Sequence, residues 1–153
     1  MSNVPSFIRY EAIDGEPGWY SWDVGDETLY NRAVLGELRV RKEGARCRLR
    51  MFPQRKHANV QKMVHGGATL GLIDIALFAG MHVAGDSDGS GAVTLELSTQ
   101  FVGAGDPDKP LDAVTEVVRE TGRLVFVRGE VVQEEHVVAA FSGILRKSSS
   151  PDR

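Results

Sequence analysis

The run from Val64 to Phe78, VHGGATLGLIDIALF, constrains this chain more than any other stretch. From Gly66 to Ala84 the apolar residues lie on every side of a helical wheel, and a helix that is apolar all round must be covered all round. One flat sheet covers one side only. A sheet that wraps around the helix meets the requirement, and so does a second subunit. The stretch approaches the length of a membrane span, yet it carries Thr69, Asp74, His82 and several glycines. It therefore reads as a helix wrapped by protein, with no membrane partner. Its one acid, Asp74, is costly to bury without a partner.

The rest of the chain supplies the cover. Residues 36–42 and 46–52 are strand-like runs joined by KEGA, a hairpin signal. AVTLELSTQF (92–101) alternates, with Val93, Leu95, Leu97 and Phe101 on one side and Thr94, Glu96, Ser98 and Gln100 on the other. Three more strands follow at 111–119, 123–133 and 136–146, and the linkers ETG and EE are short enough to force antiparallel hairpins. Residues 27–35 have helical spacing at Leu29, Ala33 and Val34, closing at Gly36. Strands with one helix segregated against them define an α+β fold. With 153 residues the chain is long enough for one domain with a real core. We divide it into an N-terminal extension (1–27), the domain proper (28–147) and a disordered tail (148–153). Within the extension, PGWYSWDV reads as a short strand or a packing arm, or as a wall of a ligand pocket.

Charge narrows the function classes. The net charge of −3 carries no signal for nucleic acid. The basic cluster Arg39, Arg41, Lys42, Arg46, Arg48 and Arg50 has the spacing of a solvent face on two paired strands, or of contacts to an anionic ligand. The single cysteine, Cys47, allows no intrachain disulfide and has no surrounding nucleophile motif. It reads as a structural thiol and suits a cytoplasmic protein. The first residues, MSNVPSFIRYEAID, lack the basic and apolar regions of a signal peptide. No residues stand at metal-ligand spacing, so no metal is expected.

Four features fall in register: His57 and Asn59 as HxN, His65-Gly66-Gly67, Asp74 nine residues after His65, and the strand holding Thr94. As a set over about residues 28–147 they resemble the hotdog-fold acyl-CoA thioesterases of the phenylacetate-degradation, PaaI-like, type. The resemblance implies a curved antiparallel sheet wrapped around one long central helix, an acyl-CoA substrate and no cofactor beyond the coenzyme A that the substrate brings. It makes Asp74 a general base or a nucleophile, where a hydrogen-bonded structural acid is the alternative. It makes the Gly66 N–H an oxyanion donor to the thioester carbonyl, where tight packing of the helix start is the alternative. Asn59 then holds the thioester or the water, or else supports its loop turn. Thr94 positions the water, or else is a strand threonine. His65 orients the loop or touches substrate, Gly67 lets substrate approach the backbone, and Gly122 and Arg123 flank the pantetheine path.

Helix geometry adds a condition. Asp74 lies eight residues beyond Gly66, about 12 Å along one helix. Both cannot serve one carbonyl, which must sit about 3 Å from each group. If both are catalytic, the sites are shared across a homodimer, and the family's usual assembly is a dimer of dimers. Two other classes compete: a non-catalytic acyl-CoA-binding hotdog protein, and a hotdog hydratase or dehydratase.

Overall fold

The computed structural model describes residues 4–87 and 91–148. Apart from Ser148, the tail expected to be disordered lies outside the described residues, as does the middle of the loop before residue 91. Seven strands form one antiparallel sheet: β1 (Trp19–Ser21), β2 (Leu38–Glu43), β3 (Arg46–Met51), β4 (Ala92–Phe101), β5 (Leu111–Glu120), β6 (Leu124–Gln133) and β7 (His136–Lys147). The helix α1 (Gly66–Val83) packs against it. The spatial order is β1-β2-β3-β5-β6-β7-β4. Hairpins supply three of the six neighbouring pairs, β2–β3, β5–β6 and β6–β7, while β3 pairs with β5 across the segment that holds α1, and β4 crosses over to pair with the last strand. The curved sheet around one long helix is the hotdog arrangement that the resemblance implied.

Helix and sheet approach closely. Leu72, Ile73, Leu77, Ala79 and Met81 are fully buried. A Cβ on Gly143 would stand 2.5 Å from Leu77 Cδ1, and one on Gly80 would stand 2.6 Å from Thr115 Oγ1. These two glycines let the layers touch. The sheet does not cover the whole helix. Gly67 and Leu70 are exposed, and Gly71, Asp74 and Phe78 are half-buried. Their spacing follows one helical face, so α1 keeps a single stripe that the sheet leaves uncovered, with Asp74 on it.

Two expectations from sequence need correction. The segment 27–35 forms only one wide helical turn, Asn31–Leu35, closed when the Gly36 N–H donates to the Asn31 and Arg32 carbonyls. Leu29 and Val34 are exposed, and Leu35 is the residue that enters the core. In β4 the alternation breaks at a β-bulge: Thr94 pairs with Leu145 and Glu96 with Ile144, which leaves Leu95 as the extra residue. Thr94 and Leu97 therefore both turn toward the helix side, while Val93, Leu95 and Phe101 are exposed. One inserted residue reverses the phase of a period-2 pattern.

The N-terminal segment joins the sheet. β1 pairs with β2, Trp22 is buried in the core, and residues 9–12 fold back along residues 20–23. The arginine cluster lies mostly on the outer sheet face and is largely paired. Arg50 holds Asp112 with two bonds of 2.7 and 2.8 Å, and Arg48 Nη1 adds a third at 2.9 Å. Arg48 and Arg41 both donate to Glu43. The Arg41 and Arg50 guanidiniums sit 4.5 and 4.6 Å from the Trp19 ring centroid, a distance at which the ring attracts a cation. Burial raises the Glu43 pKa, but the Arg48 and Arg41 hydrogen bonds outweigh it and hold the carboxyl below its ordinary range. Its stabilising contribution is present above that range and is lost as pH falls through the lowered value.

Asp112 is the shared acceptor of two guanidiniums and is almost fully buried. Asp112→Ala leaves both cations facing each other and is expected to cost about 3 kcal/mol. The check is a lower urea midpoint at pH 7 with an unchanged slope.

Candidate active site

The site begins in the loop before α1. Asn59 N–H donates to the Met63 carbonyl at 2.8 Å, and Asn59 Oδ1 accepts from Gln61 N–H at 2.9 Å and Met63 N–H at 3.1 Å. The asparagine carbonyl is thus spent on shaping the loop. That arrangement leaves the side-chain NH2 as its group for a ligand. His57 is buried between two backbone groups. Its Nδ1 accepts from Gln54 N–H at 2.9 Å, and its Nε2 lies 2.6 Å from the Val34 carbonyl. A carbonyl only accepts, so Nε2 carries the proton and His57 is a neutral strut. Its own carbonyl accepts from His65 N–H at 2.7 Å, which fastens the helix start to the strut.

His65 caps the helix. Its Nδ1 accepts from Gly67 N–H at 2.8 Å. A Cβ at position 67 would approach that nitrogen to 3.0 Å, so the second glycine makes room for the cap. Gly67 N–H is therefore committed to His65. Gly66 N–H is different: it meets no acceptor among the described residues. First-turn amides of a helix have no partner within the helix, and the helix dipole adds positive character there. A Cβ on Gly66 would make only ordinary contact, 3.4 Å, with the Phe101 ring.

Two turns along, Thr94 Oγ1 donates to Asp74 Oδ1 at 2.8 Å. The β4 bulge makes this contact, because it turns Thr94 to the helix side. Asp74 also forms part of the wall of a cavity of about 280 Å³. Helix residues Ile75, Phe78 and His82 line it, and so do Phe7, Ile8 and Trp22 of the N-terminal segment. Trp22 and Val24 of the PGWYSWDV segment are among these walls, in keeping with the pocket-wall alternative for that segment, whereas the fold-back of Phe7 and Ile8 has no signal in its pattern.

Gly122 and Arg123 lie elsewhere, in the exposed β5–β6 turn. They border a hollow of about 560 Å³ with Val93, Arg146 and Lys147. Arg146 and Lys147 were not singled out from the sequence. The strand pairing supplies them, because Arg146 stands opposite both Val93 and Leu124. Cys47 is buried, and loss of solvation pushes its thiol up to about 12, the opposite of what a nucleophilic thiolate needs. Among the described residues no group of three or more His, Cys, Asp or Glu side chains could hold a metal ion.

The thioesterase superfamily model matches residues 61–140, which is just over half of the 153-residue chain. No curated protein matches the chain in sequence. Solved structures share its fold. The PaaI protein from the phenylacetic acid degradation operon of E. coli is 21% identical with a TM-score of 0.68, covering 80% of this chain and 87% of that one. Zebrafish thioesterase superfamily member 2 is 18% identical with a TM-score of 0.69, covering 80% and 89%. The BH2602 protein from Bacillus halodurans, solved with CoA, is 30% identical with a TM-score of 0.58, covering 65% of each chain. With the helix, the sheet order and the family match in agreement, the chain belongs to the thioesterase superfamily.

His65→Ala removes the cap and is expected to cost about 1 kcal/mol of stability. Gly67→Ala should cost a comparable amount by displacing the His65 ring, whereas Gly66→Ala should be close to neutral. Urea denaturation of the three variants checks this ordering.

Proposed function

We propose that the protein is an acyl-CoA thioesterase that hydrolyses its substrate to a free acid and coenzyme A. The observation that carries this reading is the Thr94 Oγ1 to Asp74 Oδ1 hydrogen bond of 2.8 Å. It orients one carboxylate oxygen on the uncovered stripe of α1 and leaves the other for a proton. Asp74 takes a proton from water as the water oxygen attacks the thioester carbon. The carbonyl oxygen becomes an oxyanion and is met by a Gly66 N–H. Collapse of the tetrahedral intermediate breaks the C–S bond, and the departing thiolate takes the proton back from Asp74. The NH2 of Asn59 and the exposed face of His65 border the same helix start and suit substrate contacts.

The Gly66 N–H in question belongs to a second copy. On one helix the two groups are about 12 Å apart, so a complete site needs an antiparallel partner helix across a two-fold axis. Two features support this assembly: the exposed Gly67 and Leu70 at the start of the α1 stripe, and the exposed Val93, Leu95 and Phe101 on β4, which is an edge strand. The basic hollow beside Gly122 and Arg123 suits coenzyme A phosphates, with Arg146 adding charge; Lys147 is paired with Glu120 at 2.9 Å.

Asp74→Asn should lower kcat by about 10²–10⁴-fold. Gly66→Pro deletes the amide at a position where proline is tolerated, and His65 already has the extended backbone that precedes proline (φ −64°, ψ 136°). It should lower kcat by about 10²–10³-fold, with Gly66→Ala staying near wild type. Steady-state hydrolysis of acyl-CoAs reads all three. An Asp74→Asn variant with full activity overturns the reading.

Mixing the two inactive variants tests the shared site. Random exchange makes half the dimers mixed, and each mixed dimer has one intact site, so about a quarter of wild-type activity should return. Mixed dimers that form and stay inactive overturn the shared-site arrangement.

A further inference from the structure

The cavity beside Asp74 is roofed by a part of the chain that lies outside the residues matched by the thioesterase superfamily, 61–140. Its floor is one face of α1, running from Asp74 through Phe78 to His82. Its roof is Pro5, Phe7, Ile8, Trp22 and Val24. The roof is firmly held. Arg9 N–H donates to the Asp23 carbonyl at 2.7 Å, and Ser21 N–H to the Glu11 carbonyl at 2.8 Å. Ser21 Oγ donates to the Arg9 carbonyl at 2.8 Å, and Tyr10 stacks on Tyr20 with ring centroids 4.5 Å apart. Trp22 N–H, donating to the Leu38 carbonyl at 3.0 Å, ties the roof to β2. Phe7 lies at the lip, where it is 65% exposed.

The lining decides what this space accepts. Among the described residues it contains no lysine or arginine, and Asp74 is its one acid, so phosphates are poorly suited to it. The basic hollow at Arg123 and Arg146 is a separate place. A volume of about 280 Å³ falls just under the roughly 300–1,000 Å³ of pockets for drug-sized ligands. Length sets a second limit. Asp74 and His82 are eight residues apart, about 12 Å along the helix. An extended chain advances about 3.6 Å for every three bonds, so about ten bonds fill that distance.

We propose that residues 5–24 act as a ruler for the acyl group: the cavity between this segment and α1 takes an apolar, medium-chain acyl tail of up to about ten carbons, with Phe7, Ile8 and Val24 setting the limit. This rests on the thioesterase reading above, which places the thioester carbon beside Asp74.

The test is a ladder of acetyl-, hexanoyl-, decanoyl- and palmitoyl-CoA. Wild-type kcat/KM should fall about tenfold or more from decanoyl to palmitoyl. The double variant Phe7→Ala, Ile8→Ala opens the roof and should recover about tenfold on palmitoyl-CoA. Val24→Trp fills it and should lose about tenfold on decanoyl-CoA while acetyl-CoA stays within about twofold. A thermal melt of each variant separates a changed pocket from a lost fold. A chain-length profile that is the same in folded wild type and folded variants overturns the ruler. If wild type hydrolyses none of the four, the thioesterase reading has failed, and calorimetry decides the ruler alone. Decanoyl-CoA binding that exceeds acetyl-CoA binding in wild type and loses that excess in Val24→Trp retains it; equal binding overturns it.

Discussion

The contact between α1 and the concave face of the sheet governs everything else in this molecule. Leu72, Ile73, Leu77 and Met81 are fully buried in it, and Gly80 and Gly143 remove the Cβ atoms that would hold the layers apart. Burying such side chains is worth about 1.5–3 kcal/mol each. That gain fixes the rotation of the helix about its own axis, because turning it would expose the row. Once the rotation is fixed, Asp74 has one place to go: the stripe that the sheet leaves open. The placement of Asp74 is a by-product of core packing.

The helix also fixes distances. A rod with a constant rise holds the Gly66 amide and the Asp74 carboxylate apart by an amount that no side-chain motion can close. In the proposed reaction, assembly then becomes part of the chemistry. The open stripe and the exposed edge of β4 occur on the same side of the core, since β4 is the strand that brings Thr94 to Asp74. The groups of the proposed reaction and the surfaces offered to a proposed second copy lie on the same two elements.

Much of this was legible in the sequence because its causes are local. The apolar run marks α1, the short linkers mark the hairpins, and the alternation marks the strands of the sheet. Of the candidate site, the helix start at Gly66-Gly67 was legible because its signal is a run of neighbouring residues. What escaped was non-local. The β4 bulge is dictated by what Thr94 and Leu97 meet, not by their own propensities, so the simple alternation misassigned half the strand. The Asn31–Leu35 turn is short because Leu35, not Leu29, finds the core. The fold-back of residues 9–12 on 20–23 depends on pairing across a turn whose hydrophobic pattern is weak. His57 gave no hint of its duty as a strut, because its partners, Gln54 and Val34, are backbone groups that any residue type could offer.

The bulge at Leu95 has a consequence for how this strand can change over time. Its side chain is half exposed and makes no demand on the core, so many residue types fit there. Its presence in the count is what matters. Removing one residue would restore strict alternation and turn either Thr94 or Leu97 to the wrong face. Position 95 is therefore free in identity and fixed in existence: the gene can rewrite that codon widely, but it cannot drop it.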